Sequence, residues 1–159
     1  MLTKEQKSII FEIDSQAKAL TVEAFQERWG RYIGENSRNL GPHRKTLMDF
    51  DLPKSRNKET LIIVGPGPSM KMYEGRLHEL RDVATICTTP TALQWTMGQG
   101  LLPDYVVIQD SGDEMAFLRG LEEPLIAPTT IAPEVACMYD PYLFTLILGS
   151  GLKDPMFGQ

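Results

Sequence analysis

The chain has 159 residues, 42% of them hydrophobic, with a formal net charge of −5; that is enough apolar material for one core of ordinary size. The acidic balance excludes a nucleic-acid polyanion as the main partner, because phosphate-backbone binding leans on clustered Lys and Arg. Two cysteines without C-x-x-C spacing and two isolated histidines, His43 and His78, likewise exclude a disulfide framework and a zinc site.

At the start of the chain, Thr3-x-x-Gln6 is a capping-box pattern, and Ile9, Ile10, Ile13 and Ala17 follow on one helical stripe. Val22, Phe25, Trp29 and Ile33 form a second stripe, so residues 1–33 are predicted to be a helical hairpin turning at Leu20-Thr21. Stripes this apolar must pack on the body or on a second copy, and a homo-oligomer through these helices is the corresponding expectation. The segment MLTKEQKSIIFEIDSQ lacks a basic-then-apolar signal layout, and no run approaches the ~20 apolar residues of a membrane span. A cytoplasmic protein with no membrane partner is expected.

Residues 34–58 change to Asn, Arg, Lys, Pro and Gly and read as a connector, with Leu47, Met48, Phe50 and Leu52 as its main apolar contacts. Its charges Arg38, Arg44, Lys45, Lys54 and Arg56 are those of a solvated linker by default, with the rim of an anion site as the other reading. From residue 59 the pattern changes again. Leu61-Ile62-Ile63-Val64 is the continuous apolar run of a strand buried on both faces, and it breaks into Gly65-Pro66-Gly67-Pro68-Ser69. Gly65 and Gly67 allow positive φ and close approach to a ligand, while Pro66 and Pro68 remove two amide donors. Ser69 suits the N-cap of a helix from Met70 to about Leu80, where an anion would meet free N–H groups. The spacing matches neither G-x-x-x-x-G-K-[ST] nor G-x-G-x-x-G.

Ala84 to Thr88 reads as a second strand, turned by Thr88-Thr89-Pro90-Thr91 into a helix over Ala92 to Met97 that Gly98 and Gly100 stop. Tyr105 to Gln109 is a third strand with Asp110 at its carboxyl end. Gly112 to Gly120 reads as a short helix, Leu125-Ile126-Ala127 as a strand, the segment from Pro133 as a helix, and Tyr142 to Leu148 as a last strand. Strands alternating with helices of this length define an α/β, Rossmann-like, mostly parallel sheet of about four or five strands over residues 59–150, with a tail at 151–159. Ligands of such sheets bind at the carboxyl ends of strands, which is where the Gly65–Ser69 loop, Thr88, Thr89 and Asp110 fall. A carboxylate beside a phosphate loop suits Mg²⁺, which takes one or two carboxylates plus phosphate oxygens; the other reading of Asp110 is a turn cap within Asp110-Ser111-Gly112-Asp113.

Taken in order, Ile62 to Met70, Thr91-Ala92-Leu93 and Gly100 to Asp110 resemble the MptE-like family, over about residues 34–131. That family includes 6-hydroxymethylpterin diphosphokinases and flagellar motility accessory factors thought to glycosylate flagellin. The resemblance implies that Gly65, Gly67, Pro68 and Ser69 contact the phosphates of a nucleotide, and that Asp110 contacts a metal or the transferred group. Pro90 stands where the family usually has Asn or Asp, so Thr88 or Thr89 would replace that polar contact. The implied function is transfer from a nucleotide or nucleotide-sugar donor, by diphosphokinase-like or glycosyltransferase-like chemistry, with Mg²⁺ for the former and Asp110 as the catalytic residue. The alternative is a non-catalytic nucleotide-binding or assembly module that has lost the C-terminal part of the active site.

Overall fold

A computed structural model of the chain describes residues 3–54, 56, 58–109 and 115–144, with backbone alone at 14, 17–23 and 43. Helix α1 spans Lys4–Leu40. It is followed by the 3-10 turns Gly41–His43 and Leu47–Asp49, then β1 (Thr60–Val64), the 3-10 segments Pro68–Tyr73 and Leu77–Leu80, and β2 (Ala84–Thr88). Helix α2 (Pro90–Gly98), β3 (Tyr105–Val107), β4 (Leu125–Pro128), α3 (Pro133–Tyr139) and β5 (Tyr142–Phe144) complete the order.

The N-terminal helical hairpin is corrected to one continuous helix. Leu20-Thr21 contains neither Gly nor Pro, so nothing there stops a helix that the Thr3–Gln6 capping box has started. Isolated Gly30 and Gly34 are tolerated inside it, and it ends only at Gly41, whose φ of 53° is available to glycine at little cost. At about 1.5 Å per residue the 37 residues make a rod of roughly 55 Å. Only its C-terminal part meets the body: Trp29, Ile33 and Asn36 are buried, and Ile33 shares a core cluster with Val135 and Ala136 of α3.

The five strands are all parallel and lie in sequence order, β1-β2-β3-β4-β5. Winding in one direction places the crossovers on one face. There, Ile62, Val64 and Ile86 pack with Ala92 and Leu101, and Val106, Leu125, Ala127 and Leu143 pack with Leu93 and Val135. Period-2 alternation turns the intervening residues to the other face. Among the described residues it is covered by the connector: Phe50 sets its ring edge-on against Tyr105 and Tyr142, with centroids 5.3 and 5.1 Å away. Leu61 and Ile63 on that face remain 50% and 66% exposed, so β1, expected to be buried on both faces, is buried on one.

The helix expected over Met70 to Leu80 is also corrected. Gly75, at φ 74°, cuts the segment into two 3-10 pieces too short to propagate as an α-helix. The third strand stops at Val107, two residues before its expected end. Residues 115–120 form turns and irregular backbone rather than a helix; residues 112–114 of the expected Gly112–Gly120 helix, its neighbours Asp110 and Ser111, the strand beyond Phe144 and the tail lie outside the described residues. Among the described residues no helix is long and apolar enough to cross a membrane.

Candidate functional site

The carboxyl ends of β1, β2 and β3 define one edge of the sheet. Val64 ends β1, and its carbonyl accepts the Thr89 N–H at 3.1 Å and the Thr88 hydroxyl at 3.2 Å. That pair of bonds fastens the β2–α2 turn to the start of the glycine-proline loop. Thr88 is fully buried and its hydroxyl is committed to backbone oxygens, so its role here is to fix the edge. Thr89 is half-buried, precedes α2, and sets its hydroxyl 3.5 Å from that of Thr91.

Gly65, Pro66, Pro68 and Ser69 are exposed and Gly67 is half-buried. Neither glycine has the positive φ expected of it. Gly67 is extended (φ −158°, ψ 158°), a conformation any residue adopts, and it precedes the 3-10 segment that Pro68 opens. Ser69 therefore lies inside that segment, and the expected α-helical N-terminus with Ser69 as its cap is absent. The Gly67 N–H points at the Met70 thioether, 3.3 Å away. A Cβ built on Gly65 would meet nothing within 4 Å, and one on Gly67 only the Ser69 hydroxyl at 3.8 Å. The backbone at both positions borders open space, as close approach by a ligand requires.

Two clefts flank this loop. One, of about 380 Å³, runs from Gly65 and Ser69 along Ile62 and Val64 to Tyr73, Leu77 and Trp95. The other, of about 420 Å³, lies on the open face under Pro66, floored by Ile63, Cys87, Tyr105 and Val107 and rimmed by Thr89, Thr91 and Gln109. Ile63 borders both. A doubly wound sheet opens its crevice where the strand order reverses; this sheet has no reversal among its described strands. Among the described residues, the clefts arise because the 3-10 segments are too short to roof the edge and no helix covers the second face.

The clefts are largely apolar, with a few convergent hydroxyl and amide groups, the usual composition of a small-molecule site. Burial raises the Cys87 thiol to about 11, against the lowering effect of a hydrogen bond with Tyr105, and burial raises the Tyr105 hydroxyl as well, assisted by Cys87. Both stay protonated near neutral pH, so the floor carries no charge. Among the described residues no carboxylate lines either cleft, and no group of three or more potential metal-ligating side chains occurs. Asp110, Asp113 and Glu114 lie outside the described residues.

Three of the connector's basic residues are placed away from this edge. Arg56 donates to Asp104, immediately before β3, and Lys45 pairs at 2.6 Å with Asp140, two residues before β5. Both pairs lie at the amino ends of the strands. Arg44 donates to the Gly41 carbonyl. None of these three rims the loop.

Thr91, Tyr105 and Gln109 were not singled out by sequence reasoning as site residues. Alternation offered a signal for Tyr105: if Val106 faces the core, Tyr105 and Val107 face the other way.

The chain is thus a one-way parallel α/β sheet with a glycine-proline loop between two clefts at its carboxyl edge. The family described as 6-hydroxymethylpterin diphosphokinase MptE-like matches residues 31–158, and the chain belongs to that family. No curated protein and no solved structure matches the chain.

Proposed function

We propose that the protein is a nucleotide-dependent transferase whose donor phosphates lie against Gly65, Gly67, Pro68 and Ser69. The observation that carries this reading is the open space over both glycines, between two clefts of sizes suited to separate parts of a donor and an acceptor. The apolar floor of Ile63, Tyr105 and Val107 suits a flat heteroaromatic ring, with Thr89, Thr91 and Gln109 available to its polar edge. The family description favours diphosphate transfer: an acceptor hydroxyl attacks the β-phosphorus of a nucleoside triphosphate, the bond from that phosphorus to the α–β bridging oxygen breaks, and a nucleoside monophosphate leaves. Glycosyl transfer from a nucleotide sugar uses the same phosphate position. In either case the residues of this edge orient the donor and limit water on the apolar side, so their contribution is mainly positioning.

Mg²⁺ belongs to the diphosphate reading. The described clefts supply no carboxylate, so Asp110 is the protein ligand proposed for it, with donor phosphates and water completing the set. Bound there, the ion would neutralise charge on the phosphate oxygens.

Titration calorimetry of the wild type and Asp110→Asn against nucleoside di- and triphosphates and nucleotide sugars, with and without Mg²⁺, tests both parts. Binding of one donor class, tightened by Mg²⁺ in the wild type but not in the variant, is the expected result. Binding with identical Mg²⁺ dependence in both proteins would remove the metal role and favour a non-catalytic nucleotide-binding module. No binding of any donor would overturn the proposal.

A further inference from the structure

We infer that the cleft of about 380 Å³ takes the nucleobase of the donor and holds it by stacking, without reading its edge, so that the site accepts any base. The inference rests on the donor reading above and deepens it. Gly65 and Ser69 form one end of this cleft, and Tyr73 and Trp95 line it beyond them. A donor with its phosphates against the loop can therefore extend its base directly toward two aromatic side chains. The volume lies near the lower end of small-molecule pockets, about 300–1,000 Å³, and leaves room for a single nucleoside.

Polar equipment separates the two clefts. The one under Pro66 is rimmed by Thr89, Thr91 and Gln109, side chains that both donate and accept hydrogen bonds. The one beside Tyr73 and Trp95 has no amide, carboxylate or cationic side chain among its described lining residues. Its polar side-chain groups are the Ser69 hydroxyl at the loop end, the Tyr73 hydroxyl and the Trp95 indole N–H. Telling one base from another requires donors and acceptors set against the base edge, whereas every base has a face that stacks on an aromatic ring. A sugar is a poor occupant, because its hydroxyls would leave water for an apolar wall. The polar rim assigns the other cleft to the acceptor, whose edge must be recognised.

The walls of the base slot are tied to each other. Tyr73 ends the first 3-10 segment and Trp95 lies on α2. Between the two 3-10 segments, the Gly75 N–H donates to Gln99 Oε1, directly after α2, at 2.8 Å. The strip that carries Tyr73 is thus fastened to the helix that carries Trp95. Leu77 opens the second segment, is buried, and shares a core cluster with Val64 and Ile86 against which Trp95 packs. A slot fixed in this way loses little freedom when it is filled. Tyr73 itself is 50% exposed, and a stacked base would cover it.

Titration calorimetry of the full chain with ADP, GDP, CDP, UDP and inorganic pyrophosphate, all with Mg²⁺, tests the assignment. The four nucleotides should bind within about tenfold of one another, and each at least about tenfold tighter than pyrophosphate, the gain that stacking one base supplies. Tyr73→Ala should weaken all four by about tenfold and leave pyrophosphate unchanged, while Tyr73→Phe, which keeps the ring, should bind as the wild type does. Nucleotides but not pyrophosphate should quench tryptophan fluorescence, and Trp95→Phe should lose the quench. A preference above about tenfold for one base would overturn the slot, as edge reading would then be at work. Nucleotides no tighter than pyrophosphate, or a Tyr73→Ala variant that binds nucleotides like the wild type or loses pyrophosphate equally, would also overturn it and leave the loop as the donor site. No binding of any of the five probes would overturn the donor reading itself, and the slot with it.

Discussion

The Arg56 guanidinium donates from Nε to Asp104 Oδ1 at 2.8 Å, while Asp104 Oδ2 accepts the Ile86 N–H at 2.7 Å. One carboxylate thus joins the connector, β2 and the start of β3. The same guanidinium also donates to the Pro103 carbonyl, and Thr85 adds a second tie by accepting from Lys58 N–H and donating to the Arg56 carbonyl. With Asp104 only 3% exposed, the aspartate of the Pro103-Asp104 pair is a clamp at the amino end of β3, directly before Tyr105 of the cleft floor.

Asp104→Asn should therefore destabilise the fold. The amide presents a donor to one of two existing donors, leaving a buried group unpaired at a cost of about 2–4 kcal/mol. Urea denaturation should show the lower midpoint. A variant within about 0.5 kcal/mol of the wild type would contradict the clamp role.

Asn36 is fully buried, and its amide nitrogen donates to the Thr129 and Ile131 carbonyls at 3.0 and 2.9 Å. Asn36→Ala should cost about 2–3 kcal/mol, because two buried carbonyls lose their donor and a gap opens between α1 and the β4–α3 turn. Asn36→Asp should be worse, since it sets a carboxylate against those carbonyls. Wild-type stability in either variant would show that the amide hydrogens do not matter.

Gly67→Val tests the phosphate loop cleanly. An extended backbone and open surroundings accept the β-branched side chain, so the variant should fold with wild-type stability while donor affinity falls at least tenfold in calorimetry, about 1.4 kcal/mol. Wild-type affinity in the folded variant would remove the donor from this loop.

The Cys87 thiol gives a pH signature. Its folded value of about 11 lies above the ordinary 9.0, so above pH 9 the unfolded chain loses a proton that the native chain retains. Stability contributed by this group is complete below pH 9 and declines as pH rises toward about 11. Cys87→Ala, which lacks the titrating group, should show a shallower decline over that window in chemical denaturation. At pH 8 a thiol reagent should label the exposed Cys137 promptly and Cys87 only on unfolding.

The parallel direction of the strands, though not their order in the sheet, was legible because Ile62 to Val64, Ala84 to Thr88 and Leu125 to Ala127 are short β-branched or apolar runs separated by helix-length segments and marked by Gly and Pro. Helix α2 was legible for the same reason, from Pro90 at its start to Gly98 and Gly100 at its end. What misled was the absence or presence of a single breaker: without one at Leu20-Thr21 two stripes merge into one helix, and with Gly75 one expected helix becomes two 3-10 segments. The edge position of the glycine-proline loop followed from the alternation of elements. The two clefts did not, since they depend on how little the connector covers. Nor did Asn36, which a local reading assigns to a polar connector although its partners stand at Thr129 and Ile131, far away in sequence.

The two rims of the sheet are unequally protected. At β5, Leu143 N–H donates to the Lys45 carbonyl and Thr46 bridges Leu143, so the connector occupies part of that rim. At β1, no described strand pairs along the outer side of Thr60–Val64. Its sequence, TLIIV, has no charge and no proline, the composition of segments that recruit further strands when crowded. The charged neighbours Lys58 and Glu59 stand directly before it as gatekeepers. Replacing both of these residues, which lie outside the proposed site, with apolar ones should therefore favour strand addition at β1 and aggregation at high concentration.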